Sequence, residues 1–232
     1  MEKQKYAAIV LAAGSGKRMN SQVHKQYLII QDRPVLYYSL KEFEDSAVDE
    51  IVLVVGKGEE EFCRREIVDK YGISKVKAIV EGGKERYHSV FEGLKQTSDA
   101  DYVLIHDGAR PFVNQDIIRR CMQEVQKYQA CVVGMPVKDT IKIADEEGYA
   151  KQTPDRKNVW MIQTPQTFSY ALIYEAYEEM LKTEDAAITD DAMVLERTKG
   201  KKSKLIEGSY RNIKITTPED LLIANVYLQH PE

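Results

Sequence analysis

Short apolar runs alternate with helix-length amphipathic stretches along this chain of 232 residues, and this alternation limits its fold more than any other feature. Five runs have the length and apolar character of buried strands: Tyr6–Ala12, Glu50–Val55, Lys75–Val80, Tyr102–His106 and Ala130–Met135. Between them, apolar residues recur about every 3.6 positions in the stretches Val35–Phe43, Glu59–Tyr71, Arg86–Leu94 and Gln115–Tyr128. The alternation predicts an α/β protein: a single Rossmann-like domain, residues 1–232, with a mostly parallel sheet covered by helices on both faces. Such sheets bind ligands at the carboxyl ends of their strands.

The pattern changes after Pro136, where two polar, alternating segments flank an acidic glycine turn over residues 139–153. This pattern predicts a β-hairpin. A two-stranded hairpin is only marginally stable alone, so it packs either on its own domain or on another subunit, and we predict that residues 137–156 form a protruding dimerisation arm. The remaining predicted elements are helices at Tyr170–Lys182 and Ala192–Arg197, a pair of short strands at Lys204–Glu207 and Asn212–Thr216, and a last helix that begins at Thr217 and Pro218.

Charge and cysteine content argue against several classes of function. The 33 basic and 37 acidic residues nearly cancel, so no global field attracts nucleic acid and any anion site must be local. Cys63, Cys121 and Cys131 are widely spaced and odd in number, which predicts reduced thiols in the core rather than disulfides or a zinc site. The apolar run Tyr6–Ala13 is too short to cross a membrane, and we expect a cytoplasmic protein without a membrane partner.

A small-residue turn with cations follows the first predicted strand, as Leu11-Ala12-Ala13-Gly14-Ser15-Gly16-Lys17-Arg18-Met19. Glycines there let backbone N–H groups approach phosphate oxygens closely. The run matches neither a Walker A loop nor a dinucleotide fingerprint, because the residues required at Leu11, Arg18 and Met19 differ. With Lys25 nearby, the loop carries enough positive charge to hold a triphosphate, although a tight turn with solvated basic residues would have the same sequence.

This loop, followed by His24-Lys25-Gln26-Tyr27, resembles the signature of nucleotidyltransferases that activate sugars and polyols, and specifically of the 2-C-methyl-D-erythritol 4-phosphate cytidylyltransferase family. Further matches occur in the family's order over nearly the whole chain: Glu81-Gly82-Gly83-Lys84-Glu85-Arg86 with Ser89-Val90, His106-Asp107-Gly108-Ala109-Arg110-Pro111, Pro136-Val137-Lys138-Asp139-Thr140, Asp155-Arg156, Gln163-Thr164-Pro165-Gln166, Thr189-Asp190-Asp191 and Asn212-Ile213-Lys214.

The resemblance implies an enzyme that transfers CMP from CTP to a polyol phosphate in the non-mevalonate isoprenoid pathway, with Mg²⁺ held mainly by the CTP phosphates and no dedicated protein ligands. It also implies a homodimer in which Arg156 reaches the neighbouring subunit's site. The catalytic residues it implies are Arg18 and Lys25. The nucleotide-binding residues it implies are Ala12, Ala13, Gly14, Gly16, Gly82, Gly83, Ser89 and Asp107. The residues it implies for the acceptor phosphate are Arg110, Thr140, Arg156, Thr164, Thr189 and Lys214.

Plainer explanations of these segments remain open. Asp107 could cap the next turn and pair with Arg110, and Thr189-Asp190-Asp191 could be a simple helix cap. Arg156 and Lys214 could be solvated surface cations. At the level of function, the alternatives are a cytidylyltransferase for ribitol 5-phosphate and a nucleotide-binding protein without catalysis.

Overall fold

The computed structural model describes residues 3–14, 24–183 and 187–230. Its strands are β1 (Tyr6–Ala12), β2 (Ile29–Ile30), β3 (Arg33–Pro34), β4 (Glu50–Val55), β5 (Val76–Glu81), β6 (Tyr102–Asp107), β7 (Ala130–Pro136), β8 (Ile143–Ala144), β9 (Ala150–Gln152), β10 (Trp160–Ser169) and β11 (Lys204–Glu207). Its helices are α1 (Val35–Asp45), α2 (Glu60–Cys63), α3 (Arg86–Leu94), α4 (Gln115–Tyr128), α5 (Tyr170–Met180), α6 (Asp191–Lys199) and α7 (Pro218–Gln229). A π-helical turn, Arg64–Asp69, continues α2.

Seven strands form the central sheet in the order β11-β7-β10-β6-β1-β4-β5. Strand β10 runs antiparallel to its neighbours β6 and β7, whereas the other pairs in this sheet are parallel. The five strands predicted from apolar runs are all present, with ends that move by at most one residue. The predicted mostly parallel sheet is therefore confirmed.

Alternating side chains of the central strands bury opposite faces of the sheet. In β1, Ala8 and Val10 pack in one core with α1, α2 and α4, while Ala7 and Ile9 pack in a second core with α3, α5 and α6. Because both faces are buried, the strands are almost continuously apolar, which is typical of a parallel sheet between two helical layers. A third, smaller core joins α7 to the start of α1 through residues that include Ile30, Val35 and Ala224. The predicted covering of both faces is confirmed.

Strand β10 was not predicted, because its sequence is polar at the centre and contains a proline that cannot donate to the ladder. The structure accommodates Pro165 at a register irregularity in the pairing of β10 with β7, between Ile162 and Gln166. Strand β10 pairs with β6 on one side and with β7 on the other, and its polar residue Gln166 is buried as a result. A tertiary position therefore overrides the local sequence.

The prediction of a strand at Asn212–Thr216 is wrong. The backbone of this segment bonds to loops instead of a neighbouring strand: the Asn212 carbonyl accepts from Arg110 Nη1 at 2.9 Å, and the Ile215 amide donates to the Ala109 carbonyl at 2.8 Å. Residues 212–216 consequently lie beside the loop after β6, and Lys214 reaches the Asp107 carboxylate at the end of β6. Strand β11, predicted as its partner, pairs in parallel with β7 instead.

The segment after β7 contains the predicted hairpin, in which β8 and β9 pair antiparallel around a turn with Gly148 at a positive φ of 87°. Most of its side chains from Lys138 to Arg156 are exposed. None of the helices in the described part of the chain has both the length and the apolar character that a membrane span requires.

Candidate functional site

The carboxyl ends of the parallel strands border a cleft of about 400 Å³. It is lined by Leu11, Ala12, Ala13, Gly14, Lys25, Gln26, Gly83, Lys84, Glu85, Arg86, Ser89, Asp107, Ala109 and Lys214. Most of the predicted nucleotide-binding residues that the structure describes therefore lie at the sheet edge predicted for ligand binding.

Close packing of two loops shapes one wall of the cleft. A Cβ atom on Gly82 would lie 2.6 Å from the Cβ of Ala13 and 2.6 Å from the hydroxyl oxygen of Ser89, so only glycine fits there. The Ser89 hydroxyl accepts a hydrogen bond from the Gly83 amide at 3.1 Å. The structure therefore brings Ala12, Ala13, Gly82, Gly83 and Ser89 together as a tight, backbone-lined wall, which suits a flat base.

A short 3₁₀ helix, Lys25–Tyr27, places Lys25 in the cleft. Gln26 is buried and donates to the Ala12 carbonyl, and the Tyr27 hydroxyl donates to Glu59 Oε2 at 2.7 Å. These two contacts tie the segment to the carboxyl end of β1 and to Glu59, the residue before α2. Arg18 and Gly16, which were also predicted for this loop, lie outside the described residues.

Asp107 is surrounded by three cations at the end of β6. Its carboxylate lies 2.9 Å from Lys214 Nζ and 3.5 Å from the Nε atoms of both Arg86 and Arg110. Burial by itself raises the pKa of Asp107, but Lys214, Arg86 and Arg110 together lower that pKa to well below its usual range. The predicted Asp107–Arg110 pair is present, and sequence reasoning did not predict the contacts with Lys214 and Arg86.

A smaller cavity of about 230 Å³ adjoins the first and shares with it Arg86, Asp107 and Lys214. Its other lining residues are Arg110, Ile162, Gln163, Thr164, Gln166, Thr189 and Asp190. Four of the residues predicted for the acceptor phosphate, Arg110, Thr164, Thr189 and Lys214, therefore meet in one place. The cap of α6 is Asp190, whose carboxylate accepts from the Met193 amide at 2.9 Å.

Thr164 holds the end of β6 in place. Its hydroxyl accepts from the Asp107 amide at 3.1 Å and lies 2.9 Å from Nδ1 of His106, whose Nε2 lies 3.2 Å from the Arg110 carbonyl. These partners assign the Nε2–H tautomer to a neutral His106, because the carbonyl can only accept. Burial lowers the pKa of His106 to about 4. His106 is thus a buried structural group.

Thr140 and Arg156 lie on the exposed hairpin and line neither cavity of their own chain. Arg156 donates through Nη1 to the Lys138 carbonyl at 2.8 Å, across the base of the hairpin. Within one chain, the structure does not bring these two predicted residues to the cleft.

Arg86 is the main residue of the cleft that sequence reasoning missed. It is the first residue of α3, borders both cavities and forms a bidentate pair with Asp191, with both N–O distances at 2.8 Å. Its position directly after Gly82-Gly83-Lys84-Glu85 was the available signal, since residues at the start of a helix after a glycine loop face the ligand edge.

Positive charge dominates the two adjoining cavities, which are lined by five cations, Lys25, Lys84, Arg86, Arg110 and Lys214, and three carboxylates, Glu85, Asp107 and Asp190. Such a surface can hold two phosphorylated ligands side by side and stabilise charge that develops between them. Together with the glycine-lined wall and the parallel sheet, it defines an α/β enzyme of the nucleotidyltransferase class.

Within that class, the chain belongs to the IspD family, 2-C-methyl-D-erythritol 4-phosphate cytidylyltransferase, whose model matches residues 6–230. It is 50% identical over 226 residues to the enzyme of that name from Lachnoclostridium phytofermentans, covering 97% of each chain. It is 54% identical to that from Lachnospira eligens, covering 96% of this chain and 98% of the relative. The fold is similar to a crystal structure of 4-diphosphocytidyl-2C-methyl-D-erythritol synthase from Anaerococcus prevotii, with a TM-score of 0.86, 38% identity and coverage of 98% and 97% of the two chains.

Proposed function

We propose that this chain transfers CMP from CTP to 2-C-methyl-D-erythritol 4-phosphate and releases pyrophosphate, as a step of the non-mevalonate route to isoprenoid precursors. Its membership of the IspD family supports the substrates, and one observation supports the chemistry: two cavities meet at a shared group of cations around Asp107. The matched family favours methylerythritol phosphate over ribitol 5-phosphate as the acceptor.

In the proposed reaction, an oxygen of the acceptor phosphate attacks the α-phosphorus of CTP. A new P–O bond forms, the bond from the α-phosphorus to the bridging oxygen of the β-phosphate breaks, and pyrophosphate leaves with that electron pair. The acceptor is a phosphate monoester with a second pKa of about 6, so it is largely a dianion at neutral pH and no general base is required. The enzyme must instead bring two anions together and stabilise the charge that builds during transfer.

The residues of the cleft divide between these tasks. We assign the nucleotide to the wall formed by Ala12, Ala13, Gly82, Gly83 and Ser89. We assign the acceptor phosphate to the smaller cavity. The catalytic cations are Lys25, which lines the cleft, and Arg18, which remains a prediction from the family resemblance.

Magnesium enters this proposal as part of the substrate, as the Mg–CTP complex. Among residues 3–14, 24–183 and 187–230, no group of three His, Cys, Asp or Glu side chains is placed to hold a metal ion. Asp107 is engaged by three cations, and Mg²⁺ commonly binds through substrate phosphates and water with few protein ligands. Phosphate oxygens of CTP are therefore the main ligands that we propose.

We further propose a homodimer through the arm, residues 137–156. The side chain of Tyr149 is 70% exposed on the arm, and Ile143, Met161 and Ile162 are also exposed apolar residues on the arm or in the adjoining part of β10. Burial of these side chains against a second copy would remove apolar surface from water. The reduced, buried cysteines Cys63, Cys121 and Cys131 support a cytoplasmic location.

The proposed function is tested by pyrophosphate release from purified protein with Mg²⁺. Each of the four ribonucleoside triphosphates is paired with 2-C-methyl-D-erythritol 4-phosphate and with ribitol 5-phosphate. We expect release with CTP and methylerythritol phosphate alone. A preference for ribitol 5-phosphate would keep the reaction and change the acceptor, whereas no release with any pair would support a nucleotide-binding protein without catalysis.

A further inference from the structure

Three helices of one sheet face meet at the buried carboxylate of Asp191, the first residue of α6. Both of its oxygens accept from Arg86 of α3 at 2.8 Å, and Oδ1 also accepts from the Tyr177 hydroxyl of α5 at 2.6 Å. The side chains of Asp191 and Tyr177 are completely buried. A buried ion pair of this kind is worth little as a stabilising contact compared with apolar packing, so its value is expected in the geometry that it imposes.

That geometry concerns Arg86. Two guanidinium nitrogens are directed to Asp191, and the third, Nε, faces Asp107 Oδ1 at 3.5 Å. Arg86 is therefore paired more closely with Asp191 than with Asp107, and the nearest cation to Asp107 is Lys214, at 2.9 Å. About 29% of the Arg86 side chain remains exposed, and it borders both cavities.

We propose that Asp191, with Tyr177, is a positioning residue that fixes the Arg86 guanidinium at the junction of the two cavities, where both substrates present their phosphates. The inference rests on the proposed function for its kinetic consequence. A cation that is already oriented when the substrates bind stabilises the developing charge without reorganisation. If Asp191 lost its charge, Arg86 would turn towards Asp107 and compete with Lys214 for the same carboxylate.

The test is a double-mutant cycle with the variants Asp191→Asn, Arg86→Ala and the two combined. We expect Asp191→Asn alone to lower kcat on the order of 10²-fold, as for loss of a preorganised donor. In the Arg86→Ala background the same change should have no further effect on kcat, because Asp191 acts only through Arg86. If the two changes multiply instead, Asp191 has a separate structural role and the proposal is overturned.

Tyr177→Phe covers the case in which Asp191→Asn does not fold, since it removes only the hydroxyl that donates to Asp191 and keeps the ring in its apolar core. We expect about a tenfold decrease in kcat, the low end of what the loss of one hydrogen bond to a charged group costs. Tyr174→Phe is the matched control, because Tyr174 lies on the same helix and contacts Phe91 through its ring. Equal kcat values for the two tyrosine variants would contradict the proposal.

Calorimetric binding of pyrophosphate provides a readout that is independent of turnover. The positioning role predicts that Tyr177→Phe raises the Kd of pyrophosphate about tenfold, while Tyr174→Phe leaves it unchanged. If the wild type showed no turnover, the proposed function would fail, and this binding comparison would still decide the role of Tyr177 and Asp191. An unchanged Kd of pyrophosphate in Tyr177→Phe would contradict the positioning role of Tyr177 and Asp191.

Discussion

At the residue scale, the charges of the cleft depend on their immediate neighbours. Asp107 remains ionised although it is buried, because Lys214, Arg86 and Arg110 lie around it. In turn, the carboxylate reduces the repulsion among these three cations, so they lie close together before any phosphate binds. When no substrate phosphate is bound, the Asp107 carboxylate already offsets part of the positive charge of the site.

Substitution of Lys25 should reduce turnover and leave the fold intact. It lines the cleft on a segment that is held by the neighbouring Gln26 and Tyr27. We expect Lys25→Ala to lower kcat by about 10²-fold or more, because a cation that stabilises the transition state is removed. Steady-state kinetics and circular dichroism measure the two effects, with Lys41→Ala as the control on the surface of α1. Near-normal turnover of pure Lys25→Ala would remove Lys25 from the mechanism.

His106 should make the free energy of unfolding depend on pH. Its folded-state pKa, about 4, lies below the ordinary value of 6.5, so the unfolded chain binds the proton more readily. The stability from this group is complete above pH 6.5, where neither state is protonated, and it is lost as the pH falls towards about 4. The difference between the two pKa values of His106 corresponds to about 3 kcal/mol in the free energy of unfolding.

Urea denaturation between pH 7.5 and 4.5 measures this effect in the wild type and in His106→Gln. The variant should be less stable at neutral pH, because it loses contacts with Thr164 and Arg110, but its stability should fall less steeply with acid. Parallel curves for the two proteins would show that His106 is not the group responsible.

At the scale of secondary-structure elements, aspartates at helix starts also anchor parts of the cleft. Asp190 caps α6 and accepts from Gln166 Nε2 at 3.0 Å, which connects the helix to the central strand β10. Asp220 accepts from the amides of Thr216 and Thr217 at 2.7 and 2.8 Å, at the start of α7. Asp220 thus forms a capping box with the N-cap residue Thr217, and this box follows the irregular segment that carries Lys214.

Asp220→Ala should lower the free energy of unfolding by about 1 kcal/mol, because the amides of Thr216 and Thr217 lose their acceptor and the capping box is broken. Urea denaturation at neutral pH provides the measurement. Glu219→Ala is the matched control, since Glu219 is an exposed acidic residue in the same helical turn. A similar decrease in both variants would mean that charge near the helix start matters and that the hydrogen bonds of Asp220 do not.

At the scale of the whole molecule, the described predicted residues of one chain line the cleft, its wall or the adjoining smaller cavity, except Thr140 and Arg156. These two lie on the exposed arm, and the proposed dimer would carry them to a neighbouring site. The arm and the cleft would then depend on one another, because each site would draw residues from two chains.

Subunit complementation tests this arrangement with the variants Lys25→Ala and Arg156→Ala. Each variant alone should be nearly inactive, because every site lacks one cation. When equal amounts are unfolded and refolded together, activity should return to about a quarter of the wild-type value, since about half of the dimers are mixed and each has one complete site. No recovery, with mixed dimers demonstrated by differential tags, would show that Arg156 does not serve the neighbouring site.

The sequence by itself determined the strands β1, β4, β5, β6 and β7 and their helical covering, because apolar periodicity follows directly from burial on two faces. It also identified most of the residues that line the cleft, since glycine loops and cations follow strand ends in the chain. Tertiary structure alone decided the place of β10, the path of residues 212–216 and the contacts of Arg86 with Asp191 and of Lys214 with Asp107. Each of these depends on groups that are far apart in the chain, and the free energy that selects them comes from pairing and burial in the folded molecule rather than from local preference.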